Sequence, residues 1–255
     1  MLVDSHCHLD RIDLTPYDNR FENFVLEAKR NEIGHMLCIA IDLEAFPDMC
    51  TLVDSFDNIS ITVGVHPNVT EGHDPTIDEL ITLAKRNQAV GIGETGLDYF
   101  RSEGDLSWQQ ERFRTHIRAA RECGKPLIIH SRDAKEDTLR LLKGEDAGEV
   151  GGVIHCFTED WDMAKKAMDL NFHISFSGIV TFKNAATVQE AAKKLPEDRL
   201  LIETDSPYLA PVPFRGKPNY PIYVRHVAEC VAGLRGHSLN HIRDITERNY
   251  FSLFG

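Results

Sequence analysis

The chain has no hydrophobic run long enough to cross a membrane. Its apolar stretches, such as Val150–Ile154, are short and broken by glycine, far below the ~20 residues a spanning helix needs. It also lacks a basic segment followed by an apolar one at its start. Met1-Leu2-Val3-Asp4-Ser5-His6 has neither feature, so no secretory leader is expected. There is no C-x-x-C pair among Cys7, Cys38, Cys50, Cys123, Cys156 and Cys230, which excludes a zinc ribbon or a thioredoxin-type motif. A disulfide framework is not expected in so long a chain, and free thiols in a reducing cytoplasm are. Basic residues are also in the minority: 28 Lys and Arg stand against 40 Asp and Glu, a formal charge of −12. A broad basic face for duplex DNA is excluded on that balance. A phosphate-bearing substrate is not, because bound cations can be the largest local charges in a site.

What is present is an ordinary globular composition, 42% hydrophobic and 27% charged over 255 residues. No linker or low-complexity segment divides it, so residues 1–255 are read as a single domain. Short β-branched runs alternate with amphipathic stretches from end to end. The expected strands are Leu2–Leu9, Gly34–Ile41, Ser60–His66, Ala89–Glu94, Pro126–His130, Gly152–Phe157, His173–Ser177 and Leu200–Asp205. Each is a short apolar run bounded by turn residues, as a strand buried on both faces should be. Tyr17–Asn31 carries Phe21, Phe24, Val25 and Ala28 at helical spacing. Ser107-Trp108-Gln109-Gln110 reads as a capping box opening a helix to Cys123, and Asn219-Tyr220-Pro221 starts another. Gly34, Gly124 and Gly151–Gly152 fall where helix-terminating glycines are favoured. Eight such units predict a (β/α)8 TIM-type barrel, with a doubly wound sheet as runner-up.

The expected strand ends carry the chemistry. They hold His6 and His8, His66, Glu94, His130, His155, and Glu203 with Asp205. Barrel active sites lie at the carboxyl ends of the strands, so these groups are expected to converge on one mouth. His6 and His8, two apart, share one strand face, and Glu203 and Asp205 repeat the pattern with Asp205 nearer the mouth. Taken alone, each histidine is more simply a core residue. Together, imidazoles and carboxylates at six strand ends are explained by bound cations, because buried carboxylates are costly without partners. His35, His73, His116, His173, His226, His237 and His241 fall outside the pattern and are read as structural or solvated. The thiols are not counted as ligands: Cys7 points away from the histidine face and Cys156 is out of phase with His155.

So many candidates exceed the three protein ligands of one catalytic zinc. Two divalent cations are therefore expected (Mg, Mn or Zn), with Glu94 as the natural bridge. Such a pair activates water for ester or amide hydrolysis. Arg101, Arg132, Arg215 and Lys217 follow strand ends and are candidate phosphate contacts. Tyr99, Phe100 and Phe214 are candidate stacking partners for bases.

His6-x-His8, Gly64-Val65-His66-Pro67, Gly91-x-Gly93-Glu94-x-Gly96-Leu97-Asp98, Pro126-x-x-x-His130-x-Arg132, His155-Cys156-Phe157 and Glu203-Thr204-Asp205-x-Pro207 together resemble the TatD family of metal-dependent deoxyribonucleases, in its YcfH-type branch. The resemblance covers nearly the whole chain. It implies an amidohydrolase-like barrel, two or more divalent ions and phosphodiester hydrolysis of DNA. Carried over motif by motif, it implies His6, His8, Glu94, His130, His155 and Asp205 as metal ligands. His66 and Glu203 resemble the family's supporting polar residues at the same mouth. The expected mechanism has metal-activated water attacking phosphorus, Asp205 taking its proton as the catalytic base, and Arg132, Arg215 and Lys217 clamping phosphate oxygens. The negative charge of the chain favours single strands or ends of DNA as substrate, and no membrane or obligate protein partner is inferred. The alternatives are another hydrolase on the same metals (an amidase, lactonase or aminoacyl-tRNA deacylase) and a non-enzymatic metal-dependent binding protein.

Overall fold

The computed structural model describes residues 1–255. Eight parallel strands follow the chain order: β1 Leu2–Cys7, β2 Ile33–Cys38, β3 Ile59–Val63, β4 Ala89–Asp98, β5 Leu127–Arg132, β6 Gly152–Ile154, β7 Phe172–Phe176 and β8 Leu200–Ile202. Each pairs with the next, and the two ends of the sheet meet through a parallel bridge between Cys7 and Ser206. Asp205 N–H donates to the His6 carbonyl at 2.9 Å and His8 N–H to the Ser206 carbonyl at 2.8 Å. This closure makes a (β/α)8 barrel and removes the doubly wound alternative.

The helices are α1 Phe21–Arg30, α2 Phe46–Val53, α3 Ile77–Leu83, α4 Ser107–Cys123, α5 Lys135–Gly144, α6 Trp161–Asp169, α7 Ala186–Lys194, α8 Val224–Arg235 and α9 Leu239–Phe254. α1 buries Phe21, Phe24, Val25 and Ala28 against the strands, the stripe its spacing implies. It starts later than Tyr17, because Asp18 and Asn19 adopt left-handed backbone and break the pattern. No helix is long and apolar enough to cross a membrane.

Three local expectations need correction. Ser107 is not a cap. It is the first helical residue, its N–H bonds to Asp105 Oδ1 at 2.9 Å, and Gln110 reaches Tyr99 Oη instead. Gly34 lies inside β2, and the left-handed residue before that strand is Glu32, at φ 63°. Past Asn219, Pro221–Tyr223 forms a 3-10 turn before α8, and the Asn219 side chain ties the Thr204 and Tyr208 carbonyls.

The barrel interior has two layers. Val3, Leu37, Ile128, Val153 and Leu201, from strands on opposite sides, cluster with Tyr250 and Phe254 of α9. This apolar plug fills the amino-terminal end, so the polar strand ends open only at the other.

Val3 and His6 both face the interior although they are three positions apart, an odd step. Strict alternation forbids that. The register shows why: between Asp4 and Cys7 of β1, three steps oppose the two from Met36 to Cys38. The extra residue is a bulge that shifts the phase, turning His6 and His8 inward. β4 does the same between Ile92 and Thr95, opposite Leu127 to Ile129, next to Glu94.

Candidate metal centre

The strands end earlier or later than the residue patterns imply, but the functional groups meet. β1 stops at Cys7, β3 at Val63 and β8 at Ile202, while β4 continues to Asp98. His8, His155 and Glu203 therefore lie on the first residue past their strands, and His66 and Asp205 on the third. Asp205 adopts left-handed backbone at φ 56°, so the period-two relation to Glu203 does not hold there. Glu203 packs beside His155, whereas Asp205 lies between His6 and His8.

Glu94 is the centre of the arrangement, 2% exposed. Its Oε1 faces His155 Nε2 at 2.8 Å, His130 Nδ1 at 3.1 Å and His66 Nε2 at 3.4 Å. Its Oε2 faces His6 Nε2 at 3.4 Å and His8 Nε2 at 3.8 Å. Asp205 Oδ1 completes the second group, 3.4 Å from His8 Nε2 and 3.6 Å from His6 Nε2. The two carboxylate oxygens of one residue thus serve two clusters of donors.

The outer hydrogen bonds assign the ring protons. His8 Nδ1 meets the Ile39 carbonyl at 3.1 Å, His130 Nε2 meets Asp98 Oδ2 at 3.0 Å, and His155 Nδ1 meets Glu203 Oε1 at 3.2 Å. All three partners only accept when the acids are ionised, so each ring carries a proton there and turns its other nitrogen toward Glu94, where a bound cation would take the place of a second ring proton. His66 is the reverse. Its Nδ1 accepts from the Asn68 backbone N–H at 3.0 Å, which leaves the proton on Nε2, facing Glu94.

Burial opposes ionisation of Glu94, but His155, His66 and His6 around it hold its carboxyl well below the usual carboxylate range. Burial likewise opposes charge on His155, yet Glu94 and Glu203 hold its pKa well above the ordinary imidazole value. His6 moves the other way, lowered by burial and by His155, on which it stacks with ring centroids 3.8 Å apart.

The donor set fits divalent cations. Buried His6 Nδ1 and Nε2 and Glu203 Oε2 have no hydrogen-bond partner, and an unsatisfied buried polar group costs roughly 1–3 kcal/mol. A cation is a partner for both the imidazole lone pair and the carboxylate oxygen. Three sets of donors lie close enough to hold an ion: His6, His155 and Glu203; His6, His8 and Asp205; His66, Glu94 and His130.

Asp98, Asn68 and Asp4 had no role in the sequence reading. Asp98 accepts from Asn68 Nδ2 at 2.8 Å besides meeting His130, and its carboxyl is held low by these bonds against the opposing effect of burial. Its signal was its place four residues after Glu94 in the same glycine-rich motif. Asp4 accepts from Thr204 N–H at 2.9 Å and from Thr204 Oγ1 at 2.5 Å, bracing the segment that carries Glu203 and Asp205. Burial pushes its carboxyl up to about 8. An acid in the middle of an apolar strand was its only signal.

The rim residues divide. Arg132 lies over the Phe100 ring at 4.0 Å and Arg215 over Phe182 at 4.4 Å. Neither is paired with a carboxylate, and Lys217 is exposed in the loop beyond β8. Phe214 is not free to stack on a base: its ring lies flat on Tyr223 at 4.1 Å. Tyr99 is tied to Asp137 through its hydroxyl at 2.8 Å. Phe100 remains 61% exposed.

A parallel barrel whose mouth gathers imidazoles and carboxylates around one bridging glutamate is the architecture of a metal-dependent hydrolase. A family profile described as TatD related DNase matches residues 3–255, and the chain belongs to that family. It is 46% identical over 254 residues to the uncharacterized metal-dependent hydrolase YcfH of Escherichia coli K12, covering 99% of this chain and 95% of that one. It is 40% identical over 257 residues to the uncharacterized metal-dependent hydrolase YabD of Bacillus subtilis, covering 100% and 99%. The crystal structure of YjjV, a TatD homologue from Escherichia coli, superposes with a TM-score of 0.91 at 27% identity, covering 99% and 97%.

Proposed function

We propose that the protein hydrolyses phosphodiester bonds of DNA, single-stranded or at ends, with two divalent cations at its mouth. In this reading His6, His8, Glu94, His130, His155 and Asp205 would hold the two ions. Bound there, divalent ions lower the pKa of water and neutralise charge on the attacking and leaving oxygens. The chain's own groups do the rest. Asp205, 13% exposed at its side chain, orients the attacking water and takes its proton. His66 Nε2–H donates to a phosphate oxygen. Asp98, Glu203 and the Ile39 carbonyl hold the three ligand rings in the required tautomer.

The observation that favours a phosphate substrate over a neutral amide or lactone is the state of the rim cations. On the outer helices arginines are paired, as Arg114 and Arg118 are with Glu145 and Arg121 with Glu149. At the mouth Arg132 and Arg215 stack on phenylalanines with their guanidinium forks uncommitted. In a chain of charge −12, uncommitted cations beside a metal-ligand cluster suit a polyanion. Lys217 lies in the same loop as Arg215. The six free thiols support a reducing, cytoplasmic setting.

The test is incubation of end-labelled single-stranded DNA with chelator-stripped protein and Mg²⁺, Mn²⁺ or Zn²⁺ in turn, beside lactone, amide and aminoacyl-tRNA substrates. Metal-dependent shortening of the DNA is expected. Turnover of a neutral ester or amide with DNA untouched would overturn the assignment.

A further inference from the structure

We propose that Glu197, His237 and His241 form a separate site for one divalent transition-metal ion of the zinc class, at the end of the barrel opposite the mouth. Glu197 lies in the 3-10 turn Glu197–Arg199, which leads directly into the first residue of β8. His237 precedes and His241 follows Ser238, the residue that caps α9. Two segments distant in sequence are thus brought to one point, on the amino-terminal side of β8 and away from Glu94.

The geometry is that of a ligand set. His241 Nε2 is 2.8 Å and His237 Nε2 3.4 Å from the same atom, Glu197 Oε1. The two rings are 4.5 Å apart, and all three donor atoms fall within 4.8 Å of one another. Tetrahedral ligands at ~2.0–2.2 Å from zinc lie about 3.3–3.6 Å from each other, so little movement is needed to admit an ion. The frame is anchored on each side. The Glu197 carbonyl accepts from Asn249 Nδ2 at 2.6 Å, and His241 N–H donates to Ser238 Oγ at 3.1 Å. Arg235 does not claim the carboxylate, since its Nη1 is bonded to the Ala192 and Leu195 carbonyls.

Two imidazoles and one carboxylate favour zinc, nickel or copper over magnesium or calcium, which prefer all-oxygen shells. The side chains are 37–41% exposed, leaving coordination positions open to water. The ion would link the root of β8 to the turn between α8 and α9. Its effect is therefore on stability rather than on turnover, since an ion that binds only the folded state adds to its stability.

The experiment titrates chelator-stripped protein with Zn²⁺ in excess Mg²⁺, by calorimetry and by unfolding temperature, for wild type, Glu197→Gln and His237→Ala/His241→Ala. The wild type is expected to bind about one more Zn²⁺ than either variant and to gain a few degrees on its addition. The variants lose that equivalent and the gain, while unfolding as cooperatively as the wild type in chelator and keeping wild-type Mg²⁺-supported turnover. Equal Zn²⁺ stoichiometry in all three proteins would overturn the proposal and leave a hydrogen-bonded histidine–glutamate cluster. Retention of the extra equivalent by Glu197→Gln with loss of the mouth's ions would also overturn it.

Discussion

His66 receives a hydrogen bond at Nδ1 from the Asn68 backbone N–H at 3.0 Å, and so presents a protonated Nε2 to Glu94 Oε1, 3.4 Å away. The other mouth histidines with outer hydrogen bonds donate outward from one nitrogen and turn the other toward Glu94. Burial and the surrounding imidazoles of His130 and His155 lower the pKa of His66, against the pull of Glu94, so the ring is neutral and its single proton points into the site. In the proposed reading His66 therefore acts as a donor rather than a ligand. His66→Gln is expected to lower kcat about 10²-fold, the lower range for a positioned proton-bearing group, with metal content unchanged by elemental analysis. Loss of an ion in this variant would make His66 a ligand instead.

Asp98 acts through His130. Asp98→Asn keeps the size but offers His130 Nε2 a weaker acceptor. The apparent metal dissociation constant should rise roughly 10–100-fold, the usual cost of losing such a support. Turnover should recover at high Mn²⁺. If it stays low at saturating metal, Asp98 acts on the substrate directly.

Asp205 and Glu203 are separable by the same logic. Asp205 is the slightly exposed acid beside His6 and His8, whereas Glu203 is fully buried and accepts Cys156 N–H at 2.8 Å. Asp205→Asn should cost about 10²–10⁴ in turnover at saturating metal. Glu203→Gln should cost ~10–100-fold. The reverse ranking would make Glu203 the base.

His116 gives a prediction about stability that is independent of the mouth. It is fully buried in α4, accepts from Val65 N–H at 3.0 Å and donates to the Arg112 carbonyl at 2.8 Å. Burial lowers its pKa from 6.5 to about 4. Between those values the unfolded chain binds the proton and the folded chain does not, so stability falls as the pH drops from 6.5 toward 4. His116→Gln keeps one donor and one acceptor and does not titrate. The stability difference between wild type and variant, from denaturant unfolding, should shift against the wild type by about 2–3 kcal/mol between about pH 7 and about pH 4.5. A pH-independent difference would mean that the ring takes up its proton as readily in the fold as in the unfolded chain.

The local sequence was enough for the alternation of elements, the barrel and the convergence of strand ends. Runs such as Leu127–Ile129 are buried on both faces, and stripes such as Phe21, Phe24, Val25 and Ala28 bury one, so their periods are written in the residues themselves. Motif spacing likewise placed His6, His8, Glu94, His130, His155 and Asp205 at one end. What the residues could not specify is phase and partnership. The bulges in β1 and β4 depend on how neighbouring strands register, and they alone turn His6, His8 and Glu94 inward together. The proton positions depend on atoms far away in sequence: Ile39 for His8, Asp98 for His130, Glu203 for His155. Glu197 and the histidines at 237 and 241 are ordinary surface residues until the closed barrel brings the root of β8 against the last helices. A single strand or helix carries its own period, but the meeting of side chains across the barrel exists only once the sheet has closed.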